Sequence, residues 1–303
     1  MNNPILQKHF GDIAGLKAHK FFTDTGLMAD LRAGNVFPAV RKEEVHFYYG
    51  GARLCVYKTG RVYTNNRYLK ISDNGQSRDV AIPKEWFTCE SYESIKENCR
   101  TYRPVEGELP VVSQLFPMFS LAADRLPDNQ ARLIDIECRF PGTPKTKTAQ
   151  DMIDCLFITA GGTLVFVEVK LSSNKEARSD GKREPKVASQ LQRYRSQFGS
   201  KPLRDEITKV YTGVNATILE LMGSEVRQHL VPKRLFQSVP LLIVGKKASV
   251  SPQGKEAWQG QLLATSLDLK AEIIGLDGRS EKMCSALCDF FSTLDRDSTE
   301  ATL

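Results

Sequence analysis

Between residues 152 and 171 the chain runs through two apolar segments that carry three charges in their interior, and few folds can accommodate that pattern. The segments are Met152-Ile153-Asp154-Cys155-Leu156-Phe157-Ile158 and Thr163-Leu164-Val165-Phe166-Val167-Glu168-Val169-Lys170, joined through Ala160-Gly161-Gly162. Their β-branched and aromatic residues favour extended backbone and the paired glycines a tight reversal, so the stretch reads as a β-hairpin. Alternate residues of a strand share a face, which puts Val165, Val167, Val169 and Leu171 on one side and Phe166, Glu168 and Lys170 on the other. Folding back across the glycines carries Asp154 toward the Glu168/Lys170 edge. Charges in such a run are costly to bury unless they are paired or hold a metal. In outline the hairpin is a site for a cation and its water.

An acid followed two residues later by lysine is common, and this chain has four: Glu168 with Lys170, Asp180 with Lys182, Glu184 with Lys186 and Asp268 with Lys270. The middle two sit in a polar stretch marked by Gly181 and Pro185, and the last has Gly254 where an upstream acid would have to stand. The first also has after it a segment, 186–198, whose apolar residues fall at helical spacing. Gln190 and Tyr194 are four apart there and share one helix face.

In these residues the chain resembles the PD-(D/E)XK nuclease superfamily, with its Asp, its Glu-x-Lys and a following Gln-x-x-x-Tyr helix. The resemblance covers roughly residues 134–245 and is nearest to the exonuclease-like and the mismatch- or branch-cutting branches. It implies an α/β fold, a restriction-endonuclease-like mixed central sheet flanked by helices, here with a smaller β-rich N-terminal domain. It also implies that Asp154 and Glu168 hold Mg2+ or Mn2+ together with the backbone carbonyl of Val169. Lys170 would orient or deprotonate the attacking water, and Gln190 and Tyr194 would brace the lysine and the scissile phosphate. Carboxylate oxygens suit these hard cations, which keep several waters and accept phosphate oxygens.

The chain departs from the family pattern at two points. The Pro-Asp of the family name reads Ile153-Asp154, and no glutamate ahead of the hairpin matches the helix acid that many members add. Glu93 and Glu97 fall on an expected helix, Glu108 precedes one, and Glu137 lies in an expected strand; each reads first as a solvated charge. Glu137 is the best placed of them, because the strand over 133–138 should pair beside that of Asp154. Asp151 falls on the opposite strand face and reads as a turn residue.

Charge points to a polyanionic substrate. Between Lys170 and Asp205 there are ten Lys or Arg against four acids, a surplus equal to the +6 of the whole chain. Lys182, Arg183, Lys186, Arg193 and Arg195 are the residues expected to meet a nucleic-acid backbone, where each neutralised phosphate releases counterions. The seven cysteines form no Cys-x-x-Cys pair and the four histidines stand apart, so no zinc site is expected. No run approaches the roughly 20 apolar residues of a membrane span, and the polar opening Met1-Asn2-Asn3-Pro4 is unlike a secretory signal. The expected address is the cytoplasm.

Two domains are expected. Residues 1–105 form a β-rich unit for nucleic-acid or partner binding, with strands over 44–49, 53–58 and 61–64 and a helix over 90–102. Its Tyr48, Tyr49, Tyr57, Tyr63 and Tyr68 lie among Arg53, Lys58, Arg61 and Arg67, a mixture that can stack bases but also suits ordinary strands. Residues 106–303 form the nuclease-like unit, after a linker over 103–110. It has a helix over 111–126, a strand over 133–140, the hairpin, the Gln190 helix, an amphipathic helix through Ile207 and Met222, a strand over 239–244, and a final strand and helix over 272–276 and 281–294. The expected activity is a metal-dependent DNA endonuclease, with defence against foreign DNA as its setting by analogy of fold alone. The alternative is a catalytically inactive nucleic-acid-binding or scaffold subunit of a larger defence, repair or transposition complex. DNA and either a second copy of the chain or a partner protein are the expected partners, with no membrane.

Overall fold

A computed structural model describes residues 6–71, 76–103, 107–123, 130–139, 152–171, 174, 176, 186–223, 230–245, 276–277 and 280–300. Three short helices come first, α1 (Ile13–Ala18), α2 (Lys20–Thr23) and α3 (Leu27–Ala33). An antiparallel sheet follows in sequence order: β1 (Val36–Arg41), β2 (Glu44–Tyr49), β3 (Ala52–Lys58), β4 (Arg61–Asn65) and β5 (Asp79–Ala81). β2, β3 and β4 stand where alternation puts them. β1 and β5 escape the pattern for physical reasons: β1 contains Pro38, which a sheet tolerates at an edge such as this one, and β5 is too short to show a period. Helix α4 (Cys89–Tyr102) begins where the Thr88 side chain accepts the Ser91 N–H at 3.2 Å, a capping bond that supplies one of the orphan donors of a helix start.

The helix expected over 111–126 is instead a run of turns: α5 (Leu109–Val112), a 3-10 turn over Ser113–Leu115, and α6 (Phe116–Phe119). Pro117 lies in the first turn of α6, where its missing N–H does no harm but its ring prevents continuation of the preceding helix. The second sheet contains β6 (Arg132–Arg139), β7 (Met152–Ile158) and β8 (Thr163–Leu171). Helices α7 (Lys186–Phe198) and α8 (Lys201–Met222) come next, then β9 (Arg234–Leu235), β10 (Leu241–Gly245), β11 (Leu276–Asp277) and α9 (Ser280–Glu300). The spatial order is β11-β10-β8-β7-β6, with β9 also on β8. β7 is antiparallel to both β6 and β8, whereas β10 is parallel to β8 and β11 to β10. A parallel neighbour requires a long crossover, and α7 and α8 provide it. Most of the strand expected over 272–276 lies outside the described residues. The chain is therefore mixed α/β, with two sheets and several helices.

The period-two reading of β8 holds. Phe166 stacks on Phe198 of α7 at 5.1 Å and meets Tyr211 of α8 edge-on at 6.2 Å, pairs worth about 1 kcal/mol each beyond the area they bury. Val165, Val167 and Val169 join the opposite cluster with Phe119, Leu287 and Phe291, where Phe157 and Phe291 lie 4.9 Å apart.

The two sheets fall on either side of the expected boundary near 105, yet the core crosses it. Phe10, Val40 and Val45 share one cluster with Ile134, Tyr211 and Ile218. At its centre the fully buried Asp135 accepts from Lys8, from Arg41 at 2.7 Å and from the Tyr211 hydroxyl at 2.7 Å. Burial opposes the Asp135 charge, but Arg41 and Lys8 outweigh it and hold the carboxyl well below its ordinary range. The same packing corrects the tyrosine reading: Tyr48, Tyr57 and Tyr68 are core residues with no ring face open to a base. Among the described residues no helix is long and apolar enough to cross a membrane.

Candidate metal centre

The hairpin is fixed at its turn. Gly162 has φ 85°, a left-handed conformation that favours glycine, and a Cβ there would stand 2.6 Å from the Val231 carbonyl oxygen. Asp295 of α9 accepts from the Thr159 hydroxyl at 2.6 Å and from the Gly161 N–H at 2.9 Å. The ladder then runs from Ile158 opposite Leu164 to Cys155 opposite Val167. Continued by one residue, that register sets Asp154 opposite Glu168. There the side chain takes over from the backbone, as Asp154 Oδ2 accepts the Val169 N–H at 2.7 Å.

Glu168 is 1% exposed and Lys170 8% exposed, and the lysine Nζ lies 2.7 Å from Glu168 Oε1. The other oxygen, Oε2, is buried without a hydrogen-bond partner among the described residues. Burial first, and then the neighbouring Asp154 charge, push the Glu168 carboxyl up to about 8 against the pull of Lys170. Burial likewise raises Asp154, to about 6, although the Val169 N–H and Lys170 favour its charge. For Lys170 burial works against the charge, but Glu168, Asp154 and Glu108 overcome it and lift the ammonium above its ordinary value. The lysine is thus a cation at neutral pH. The two carboxyls hold protons more tightly than ordinary ones, because burial disfavours their charged forms.

Of the expected site residues, Asp154, Glu168, Val169 and Lys170 are brought together. Gln190 and Tyr194 meet on α7 but differ from expectation in whom they touch. Gln190 Nε2 donates to the Tyr194 hydroxyl at 2.6 Å, and that hydroxyl donates to the Met152 carbonyl at 3.0 Å. The hydrogen bonds they make here brace the start of β7, two residues before Asp154, while the close partner of Lys170 is Glu168. Arg193 and Arg195 flank the buried Tyr194 on the exposed side of α7. Lys186 opens the same helix, largely exposed and 3.9 Å from Glu176. Lys182 and Arg183 lie outside the described residues.

Two further acids bear on the cluster. Glu108 precedes the first turn of α5; its charge acts on Asp154, Glu168 and Lys170, and it accepts from Asn174 Nδ2 at 2.9 Å. Glu137 acts on Asp154 and accepts from the Tyr48 hydroxyl at 2.8 Å. Glu137 was legible as a strand neighbour of Asp154. Glu108 was legible as well, but only as the residue before an expected helix; its nearness to the hairpin depends on where α5 packs.

Among the described residues no three His, Cys, Asp or Glu side chains form a group able by themselves to hold a metal ion. The donor set nevertheless fits a hard divalent cation. It offers two carboxyls with raised proton affinity, one buried oxygen lacking a partner, and further acids within electrostatic range. Comparison with family models, with curated proteins and with solved structures returns no match.

Proposed function

We propose that the chain is a metal-dependent nuclease that hydrolyses phosphodiester bonds of DNA, built on a restriction-endonuclease-like core. The observation that carries this reading is the convergence of the half-buried Asp154 with the buried Glu168 and Lys170 on two paired strands, with Glu168 Oε2 left unpartnered. A structural ion pair needs only Glu168 and Lys170; the third charge and the orphaned oxygen are what a cation would satisfy. The antiparallel β6-β7-β8 run followed by the parallel β10, with α7 on the face bearing Glu168, supports the same core.

Asp154, Glu168 and the Val169 carbonyl would hold Mg2+ or Mn2+, with Glu108 or Glu137 reaching through water. When bound, such a cation lowers the pKa of its water and neutralises charge developing on the phosphate. The protein's own part is positional. Lys170, held 2.7 Å from Glu168, would orient or deprotonate the attacking water and donate to a phosphate oxygen. The Val169 N–H fixes the Asp154 carboxylate, and Tyr194 fixes the strand that carries it. Arg193, Arg195 and Lys186 lie where a nucleic-acid backbone could follow α7.

Purified protein incubated with circular and linear DNA and Mg2+ or Mn2+ is expected to nick or degrade it, to stop with chelator, and to lose cleavage but not binding in Lys170→Ala. Wild-type rates from both Asp154→Ala and Lys170→Ala remove the reading. The inactive, nucleic-acid-binding alternative draws on the absence, among the described residues, of a complete three-acid group. Calorimetry with manganese separates the two, since only a working centre takes up the metal.

A further inference from the structure

We infer that Tyr48, from the N-terminal sheet, is a positioning residue for the metal centre, acting through Glu137, so that both sheets build one site. This rests on the metal-centre reading above and deepens it. The inference begins with the backbone of Glu137, which has φ 48° in the middle of β6, a conformation that non-glycine residues seldom keep without support. The pairs Ile136 with Cys155 and Cys138 with Ile153 bracket it, so the register sets Glu137 opposite Asp154, which the same counting sets opposite Glu168. The left-handed residue therefore occurs at the one position of β6 that borders the acid pair.

Support for it comes from the other sheet. Tyr48 is buried, opposite Phe37 in the strand pair and with its ring 6.3 Å from that of His46, and its hydroxyl donates to Glu137 Oε2 at 2.8 Å with the Arg41 guanidinium beside it. Two positions before Glu137, Arg41 holds Asp135 at 2.7 Å and the Ile136 carbonyl at 2.7 Å. β6 is thus gripped at consecutive polar points by β1 and β2. A second contact reaches the other flanking acid: a Cβ on Gly51, in the turn after β2, would stand 2.7 Å from Pro110 Cα, two residues from Glu108. One hairpin of the N-terminal sheet touches the segments of both acids. A separate DNA-binding module has no need of this arrangement, whereas a site that requires fixed carboxylates does.

The test is manganese binding by the full chain, measured by calorimetry at one pH, with folding checked by urea unfolding in chelator. Tyr48→Phe is expected to bind about tenfold more weakly, the usual effect of losing a group that orients a metal ligand. Introduced into a Glu137→Gln background, the same change is expected to have no further effect, because its route is gone. Tyr48→Phe binding like wild type overturns the inference, and so does equal weakening in both backgrounds. Glu137→Gln alone is expected to weaken manganese binding as Tyr48→Phe does, and Glu137→Gln binding like wild type overturns the inference even where Tyr48→Phe fails to fold. If wild type takes up no manganese, the metal-centre reading falls and this inference with it; if wild type binds and the Tyr48 variants are unaffected, only the inference falls.

Discussion

Asp154 Oδ2 accepts the Val169 N–H at 2.7 Å, so a side chain completes the hairpin where the backbone ladder ends. One carboxylate oxygen is committed to the fold, and the other remains for chemistry. That division explains why Asp154 is raised less than Glu168: the backbone N–H stabilises its charge, while Glu168 has the lysine and an oxygen without a partner.

The pH dependence of stability follows. With Asp154 raised to about 6 and Glu168 to about 8, the folded protein binds protons more tightly than the unfolded chain. Stability in chelator should therefore fall as pH rises from the ordinary carboxylate range, near 4, through about 8. Lys170, raised above its ordinary value, adds stability that is lost only at pH above that range. Manganese binds the ionised carboxylates and should reverse the slope, adding about 2.7 kcal/mol at a hundredfold excess over its Kd. Thermal unfolding at pH 5, 6.5 and 8.5 with chelator or manganese reads this directly. A Tm in chelator that does not fall with pH contradicts it.

Catalysis should be more sensitive than folding at Lys170. Lys170→Ala removes the donor while leaving Asp154 and its bond to Val169 in place. Cleavage is expected to drop by roughly a hundredfold or more, with DNA retained in a mobility-shift assay. The buried Glu168 then loses its cation and takes up a proton more readily still. Equal losses of binding and cleavage would argue for a folding defect instead.

The hairpin was legible because its information is local: alternation fixes which residues share a face, and the glycines fix the reversal. α7 was legible for the same reason, and with it the pairing of Gln190 and Tyr194. What escaped depends on distance in the chain. Asp135 is a polar residue in a largely apolar strand, and Lys8 and Arg41, far upstream, with Tyr211, far downstream, account for its burial. Tyr48, Tyr57 and Tyr68 alternate with cations as an exposed stacking face would, but which face of the sheet is covered is decided by other elements. Glu108 could be named only as the residue before an expected helix, because nothing local shows that the start of α5 lies beside the hairpin.

The Asp135 network predicts a large loss of stability from a small change. Asp135→Ala strands Lys8 and Arg41 in the core, a loss of about 3–5 kcal/mol for breaking a buried pair on one side. Urea unfolding followed by tyrosine and tryptophan fluorescence and by far-UV circular dichroism should show it as a lower midpoint. Because the Asp135 pKa is depressed, its contribution is present above the ordinary aspartate value and lost only as pH falls below it. A loss under 1 kcal/mol would mean that the three donors find other partners.

Two glycines should respond in opposite directions to the same methyl group. Gly162→Ala places a Cβ 2.6 Å from the Val231 carbonyl at φ 85°, so neither the backbone nor its neighbour can accommodate it. A loss of about 2 kcal/mol or more is expected. Since Gly162 also sets the hairpin register, cleavage should fall with it. Gly213 lies exposed within α8, and a Cβ there would meet nothing within 4 Å. Gly213→Ala should stabilise by about 1 kcal/mol through helix propensity alone and leave cleavage unchanged. Paired urea titrations check both signs, and a Gly162→Ala protein as stable as wild type would show that the turn is not held as described.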